Sequence, residues 1–178
     1  PRRMEDTMPN HTMVEVRIES QSKEVIDRIL AATVNAQGDI DFELLLPIPL
    51  NCWRGSVGTE HKKLPDNALD WCSKNWGTKW GPYGNPEAIQ IGNILTLRFQ
   101  TAWAPPRGWL LAIWNKFRVP FEYYFLDEYD GKTYIGIFQN EDEWSEKPHP
   151  EALERLSIYK YGEEAREEIK KERQSEAL

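Results

Sequence analysis

The first regular pattern in the chain is an alternation of apolar and polar side chains at residues 12–19. Such an alternation predicts a β-strand with one buried and one wet face. At residues 25–33 the apolar residues recur at helical spacing, and Gly38 lies where we expect that helix to stop. Residues 40–46 alternate again before Pro47 ends the pattern. These three segments together predict a β-α-β unit.

The same succession of elements follows in the second half of the chain. Residues 95–99 alternate as a strand, residues 110–117 have an apolar helical face, and residues 121–126 alternate again. An Asp-Gly pair at residues 130–131 is typical of a hairpin turn, which predicts that residues 133–138 pair with the preceding strand. Two β-α-β units in one chain predict an α+β fold, the ferredoxin-like sandwich, in which one sheet carries helices on a single face.

A long segment at about residues 47–92 separates the two units and shows only one regular pattern. Leu69, Cys72 and Trp76 lie three and four positions apart, which predicts one short helix with an apolar face. We interpret the segment as a Trp-rich insertion into the ferredoxin-like domain. So long a segment without regular structure needs bulky residues to fasten it to the sheet.

The last part of the chain is predicted to be helical and charged. At residues 163–178, Ile169 is nearly the only large apolar residue. A helix that is polar on all sides projects into water or frays, so we expect this segment to contribute little to stability. The predicted organisation is a ferredoxin-like domain at residues 8–148 and a C-terminal helical appendage at residues 149–178.

Charge and tryptophan are unevenly distributed along the chain, which has 178 residues and a net charge of −7. Residues 50–120 hold 9 basic and 4 acidic side chains together with seven of the 8 tryptophans, whereas residues 121–178 hold 8 basic and 16 acidic side chains. Such asymmetry is typical of a protein with a charged partner surface, although segments of one fold also balance each other in this way.

Signals of catalysis or metal binding are weak. His11, His61 and His149 stand in no metal-ligand spacing, and Cys52 and Cys72 are too far apart for a zinc knuckle, so we expect no metal and no cofactor. Walker A, G-x-G-x-x-G and G-x-S-x-G motifs are missing, so we expect a protein that is not an enzyme, unless an active site is assembled only in space. The chain has neither an apolar run of membrane-spanning length nor a secretory signal, so we expect a cytoplasmic protein.

The densest concentration of candidate binding residues is DWCSKNWGTKWGPY at residues 70–83. Indole rings stack on bases and anchor protein interfaces, and lysine ammonium groups bind phosphates. Packing of the rings against the sheet is the alternative explanation. The candidates for an exposed binding patch are Trp53, Trp71, Lys74, Lys79 and Tyr83.

A second candidate surface is acidic. Asp127, Glu128 and Asp130 flank the predicted hairpin turn, residues 141–143 follow the hairpin as Glu-Asp-Glu, and the tail is acidic as well. Such a surface could meet the basic, nucleic-acid-binding site of another protein as a partial DNA mimic. Solvated charge beside turns is the ordinary explanation of these clusters.

Two segments resemble the hallmarks of a known family. WGTKW at residues 76–80 and FQTAWAPPRGW at residues 99–109 resemble the motifs of a phage- and plasmid-encoded family with a ferredoxin-like domain, named after the plasmid protein YubB. Residues 124–138 are similar to its closing hairpin, with Gly136 in the last strand. The resemblance covers about residues 8–140, and it departs from the family at the start, where members often have Trp-Cys after Pro-Asn and this chain has His-Thr.

The resemblance implies the ferredoxin-like fold and an origin on a mobile genetic element, and it implies no catalytic residues. Both motifs lie near the ends of the predicted sheet. A motif that recurs in a family can be structural, so we expect Trp76, Trp80 and Trp103 to be buried and packed together.

Two functions from different classes fit these observations. The first is a phage or plasmid accessory protein that binds a host protein and inhibits a defence or replication component without catalysis. The alternative is a nucleic-acid-binding module that uses the basic, Trp-rich middle of the chain and an open sheet face. The net charge argues against the alternative, because phosphate contacts dominate nucleic-acid affinity. Residues 121–126 are apolar on both sides, so we expect something to cover the second face of the sheet.

Overall fold

The computed structural model describes residues 10–55, 67–139 and 144–176. Within these ranges, no helix combines the length and the apolar character that crossing a membrane requires. The elements in chain order are β1 His11–Glu19, α1 Lys23–Thr33, α2 Ala68–Asn75, β2 Tyr83–Ile91, β3 Ile94–Ala102, α3 Arg107–Phe117, β4 Phe121–Leu126, β5 Thr133–Phe138, β6 Trp144–Pro148, α4 Leu153–Tyr161 and α5 Glu164–Glu176. Short 3-10 turns occur at Phe42–Leu44 and Pro150–Ala152.

A single six-stranded sheet with the order β2-β3-β1-β4-β5-β6 organises these elements. All neighbouring strands are antiparallel. The β2-β3-β1-β4 part, connected by α1 and α3, has the ferredoxin-like arrangement of two interleaved β-α-β units. The predicted α+β, ferredoxin-like fold is therefore confirmed, with β5 and β6 extending the sheet beyond β4.

The second strand of the first unit does not lie where the alternating pattern predicts it. Residues 40–46 form an isolated bridge between Ile40 and Val34 and then a 3-10 turn, so the predicted strand is wrong. Phe42 in this turn is buried, and its ring stacks on Trp109 with centroids 4.3 Å apart. The alternation arises from packing of this segment on the core, and β2 takes the strand position instead.

Strand β2 escapes prediction because its first half is irregular. Gly84 and Asn85 have φ values of +71° and +57°, and the pairing with β3 shifts register between Tyr83 and Glu87. Only the five residues from Glu87 to Ile91 pair with β3 in continuous register, and their sequence, Glu-Ala-Ile-Gln-Ile after Pro86, shows no regular alternation. The segment predicted to contain only one short helix therefore also contributes an edge strand of the sheet.

The main core lies between one face of the sheet and the helices α1 and α3. Alternate residues of the central strands point to it, as predicted for β1, β3 and β4. The buried members of this core include Val14, Val16, Leu97, Phe99, Tyr123, Ile26, Ile29, Leu110 and Ile113.

Helix α4 covers part of the opposite face of the sheet. Ala152 and Leu156 are fully buried in a second apolar cluster with Met13 of β1 and Leu126 of β4. The expectation that something must cover this face is confirmed, whereas the expectation of helices on a single face of the sheet is wrong.

Charged side chains hold α4 to the sheet. Glu15, which is buried in the middle of β1, accepts hydrogen bonds from Arg98 Nε at 2.7 Å and from Arg155 Nε at 2.9 Å. Near the end of α4, Lys160 Nζ donates to the His11 carbonyl at 2.8 Å and lies 3.1 Å from the Glu128 carboxylate. Breaking such a pair leaves an unpaired charge in a poorly solvated place, so α4 has a defined position on the sheet.

The final helix is not polar on all sides, contrary to the prediction. Ala165 and Ile169 are only 7% and 8% exposed, and α5 packs against α4. Arg166 Nε lies 3.5 Å from the Glu154 carboxylate of α4. One face of α5 is therefore in contact with the fold, and the helix does not simply project into water.

The two motifs that carry the family resemblance meet at the start of α3. The Trp76 carbonyl accepts hydrogen bonds from Gly108 N at 3.0 Å and from Trp109 N at 3.3 Å. Thr78 Oγ1 donates to the Ala102 carbonyl at 2.9 Å. The first N–H groups of a helix have no partner within it and carry partial positive charge, so a carbonyl placed there is favourable.

Replacing Gly108 by Ala tests this junction. A Cβ at residue 108 would lie 1.9 Å from the Asn75 carbonyl oxygen, so α2 and α3 would have to move apart. We expect the free energy of unfolding to fall by about 1–3 kcal/mol in urea denaturation, the usual cost of overpacking. Gly81→Ala is the matched control, because a Cβ there meets nothing within 4 Å. Equal stability of the two variants would show that the close approach is not needed.

Trp76→Ala tests the packing of the insertion. The ring is buried, and its Nε1 donates to the Leu46 carbonyl at 2.9 Å. We expect a loss of about 3–5 kcal/mol, the range for large aromatic truncations in cores, measured by urea denaturation with circular dichroism. Leu50→Ala, at a residue 99% exposed, should change stability by less than about 0.5 kcal/mol. An unchanged melting temperature for Trp76→Ala would contradict the packing role.

Candidate partner-binding surface

A cleft of about 530 Å³ lies within the insertion. Its lining comes from residues 41–55, from α2 together with Trp76, and from residues 79–82. Helix α2 is the predicted short helix, and at its N-terminus Asn67 Oδ1 accepts a hydrogen bond from Asp70 N at 2.9 Å. Clefts of this size with apolar walls and few polar groups are the usual places where proteins bind ligands or partner side chains.

Two polar groups of the cleft, the Arg54 guanidinium and the Cys72 thiol, are not available as a reactive site. Arg54 forms a two-pronged hydrogen bond with Glu43, with both distances 2.8 Å, and also donates to the Ile48 carbonyl. Burial raises the pKa of the Cys72 thiol to about 12. The thiol is therefore protonated at neutral pH, as expected for a buried rather than a reactive cysteine.

Three large apolar side chains near this cleft are exposed. Leu44, Leu50 and Trp53 all belong to residues 41–55, and Leu50 is almost fully in solvent. Exposed apolar residues scattered singly are ordinary, whereas several that form one contiguous patch are typical of an interaction site, so this segment is a candidate contact surface. Sequence analysis identifies Trp53 and misses Leu50, for which Pro49 and Asn51 on either side are the only available signal of an exposed loop.

A second pocket, of about 370 Å³, shares Lys79 with the cleft. Its lining also includes Trp103, which sequence analysis predicts to be buried with Trp76 and Trp80. That prediction holds for Trp76, is only partly met by the half-buried Trp80, and is wrong for Trp103, which is 47% exposed. The backbone of Trp103 has φ +74°, which turns the residue out of the end of β3.

Lys74 and Lys79 supply positive charge next to these rings. Lys74 is exposed in the last turn of α2. The ammonium group of Lys79 lies 5.4 Å from the centre of the Trp80 ring. Neither lysine pairs with a carboxylate in the described parts of the chain. We define the insertion surface as Leu44, Leu50, Trp53, Lys74, Lys79 and Trp103.

The other two candidates of the Trp-rich stretch are tied into the fold. Trp71 is half-buried, with its ring perpendicular to Trp76 at 5.7 Å between centroids. The Tyr83 hydroxyl lies 2.8 Å from His11 Nδ1. Burial, and then the nearby Glu128 carboxylate, raise the pKa of Tyr83 to about 12.

The acidic candidate residues Asp127 and Asp130 stabilise the turn between β4 and β5 through hydrogen bonds. Asp127 Oδ1 accepts from Tyr129 N, and Asp130 accepts from Lys132 N, each at 2.9 Å. The Tyr134 hydroxyl also donates to Asp130 and lowers the pKa of that carboxyl. The remaining acidic cluster, residues 141–143, and also His61 lie outside the described residues.

Glu128 links the two surfaces that sequence analysis treats as rivals. It accepts a hydrogen bond from the backbone N of His11, whose ring contacts Tyr83. Partial burial of the Glu128 carboxyl raises its pKa, but the His11 N–H and Lys160 outweigh this effect, so the pKa is lowered overall. Contacts over such sequence separations leave no signal in a linear pattern.

The described residues include one further network of ionisable groups, around Glu146 of β6. Arg107 donates to both carboxylate oxygens of Glu146 at 2.7 Å, and the Tyr123 hydroxyl donates to the same carboxylate. Gly136 leaves room for this arrangement, since a Cβ there would lie 2.1 Å from the Tyr123 ring. The network ties β6 to the start of α3, which gives the glycine of the hairpin motif a structural role.

No cluster of three or more His, Cys, Asp or Glu side chains suited to a metal ion occurs within residues 10–55, 67–139 and 144–176.

Comparison with known proteins identifies the family. No curated protein and no solved structure matches the chain significantly. A family model described as the ferredoxin-like domain in Api92-like protein matches residues 75–172, more than half of the chain. The match starts at the end of α2, contains both tryptophan motifs, and continues through α4 into α5. The chain therefore belongs to the family defined by the ferredoxin-like domain of Api92-like proteins.

Proposed function

We propose that this protein binds a host protein through the insertion surface and acts by occupying the partner, without catalysis. The observations that carry the proposal are the exposed Leu44, Leu50 and Trp53 in the segment that lines the cleft and the exposed Trp103 in the second pocket. Lys79 lines both pockets and pairs with no described carboxylate. Protein interfaces take most of their energy from a few central apolar and aromatic side chains, with charges at the rim that guide association. The insertion surface has this composition.

The proposed biological setting is a phage or plasmid whose accessory protein inhibits a defence or replication component of the host. The resemblance of WGTKW and TAWAPP to a phage- and plasmid-encoded family supports a mobile-element origin. A small protein of this kind commonly works by blocking the surface of a host component.

Nucleic-acid binding on the sheet receives less support. Ferredoxin-like proteins that bind single strands stack bases on the open face of the sheet. In this protein α4 buries Met13 and Leu126 on that face, and Glu15 engages Arg98 and Arg155 there. The net charge of −7 opposes phosphate binding as well.

The proposal is tested by capture and then by measured affinity. The tagged protein is used to capture its partner from infected or plasmid-carrying cells, and the captured protein is purified. We expect Leu50→Asp to weaken binding and to raise the dissociation constant by about thirtyfold or more, because a charge replaces an apolar contact at the interface. The melting temperature should not change, because Leu50 makes little contact with the fold.

Ile91→Asp is the matched control, since Ile91 is 74% exposed at the end of the edge strand β2. It should bind as the unchanged protein does. A double charge reversal on α5, Glu164→Lys with Glu168→Lys, tests the rival acidic surface without touching Glu128. If this double variant loses the partner while Leu50→Asp retains it, the acidic tail is the working surface and the proposal fails.

A further inference from the structure

Trp103 has a backbone conformation that a tryptophan rarely adopts. Its φ of +74° lies in the left-handed region, where a β-carbon is crowded and glycine or asparagine is the usual residue. The conformation is held from outside, because Trp103 N donates to the Asn10 carbonyl at 2.9 Å, beside the pairing of His11 with Ala102. The turn needs a left-handed residue here, but it does not need an indole.

The fold covers only about half of the Trp103 side chain. The side chain is 47% exposed, whereas Trp76 and Trp109 are buried in the core. In the described part of the chain its ring forms neither an aromatic pair nor a cation–π contact. Strained residues that the fold does not require are found preferentially at functional sites.

The pocket beside the ring is suited to a negatively charged group next to an apolar one. Its polar side chains are Lys79, Ser73 and Thr78, and its described lining contains no carboxylate. Thr78 and Ser73 direct their hydroxyl protons to the Ala102 and Leu69 carbonyls, which leaves the Lys79 ammonium as the free donor. Lys74 adds a second positive charge on the neighbouring turn of α2. This local charge is opposite in sign to the net charge of the protein.

We propose that Trp103 and this pocket bind an acidic segment of the partner protein, with an apolar side chain against the indole and a carboxylate at Lys79. The inference rests on the proposed function and adds the chemistry of the partner to it. Lysines act as point charges, so they tolerate carboxylates in several orientations on a flexible segment.

The probe is a set of fluorescein-labelled heptapeptides, Gly-Glu-Glu-X-Glu-Glu-Gly, in which X is Leu, Phe or Trp. The matched set has Lys in place of every Glu, and a labelled single strand of oligothymidine serves as a third probe. Fluorescence anisotropy at low salt measures binding to the full chain. We expect the acidic peptides to bind, the basic peptides not to bind, and the affinity to fall as salt is raised.

Two variants locate the binding. Trp103→Gly and Lys79→Glu should each weaken binding of the acidic peptides by about tenfold or more, whereas Lys147→Glu, at an exposed lysine of β6, should not. Trp103→Gly should keep the melting temperature within a few degrees or raise it, because glycine relieves the left-handed conformation. A ring needed only for packing would instead lower the melting temperature and leave peptide binding unchanged.

The inference is overturned if none of the acidic peptides binds, if the basic peptides or oligothymidine bind better, or if Trp103→Gly binds them normally. The proposed function can fail separately. Partner binding that depends on Leu50 but not on Trp103 would leave the proposed function standing and remove the acidic subsite. If peptide binding depends on Trp103 but the partner binds the Leu50→Asp variant normally, the acidic subsite stands and the proposed function fails.

Discussion

The carbonyl of Trp76 at the N-terminus of α3 is the contact on which the arrangement of this molecule depends. It joins the end of α2 to a helix of the ferredoxin-like core, and the absence of a side chain on Gly108 permits the approach. Thr78 repeats the connection at the Ala102 carbonyl. Because the insertion is fastened at these points, residues 41–55 and α2 can form the walls of a cleft with a defined shape.

The same contact explains why the two tryptophan motifs contain residues of two kinds. Trp76 and Trp109 face inward and are buried, whereas Lys79 and Trp103 lie around the outer pocket. Neighbouring residues of these motifs therefore differ in burial, because two chain segments cross at this junction. A motif of this kind is fully explained neither by stability nor by binding alone.

Sequence analysis predicts those parts of the molecule in which neighbouring residues share one environment. It predicts β1, α1, α3 and β4 because the residues of each that face the main core recur at the period of a strand or a helix. It fails at Phe42, where alternation comes from a buried 3-10 turn, and at β2, whose sequence does not alternate and whose register shifts after Gly84 and Asn85. For the candidate site it finds Trp53 and both lysines. It misplaces Trp103, because a left-handed backbone at a non-glycine residue leaves no signal in composition or spacing.

The charged contacts of α4 decide which surface remains for a partner. Glu15 would be an unfavourable residue in the middle of a central strand if Arg98 and Arg155 did not both reach it. This requirement keeps α4 on the sheet face that related folds leave open for bases, and Lys160 with Glu128 keeps its far end there. Of the acidic residues near the β4–β5 turn, Glu128 pairs with Lys160 of α4, whereas Asp127 and Asp130 accept hydrogen bonds from the turn itself. The proposed binding of a partner therefore rests on the exposed apolar side chains and the unpaired lysines around the insertion.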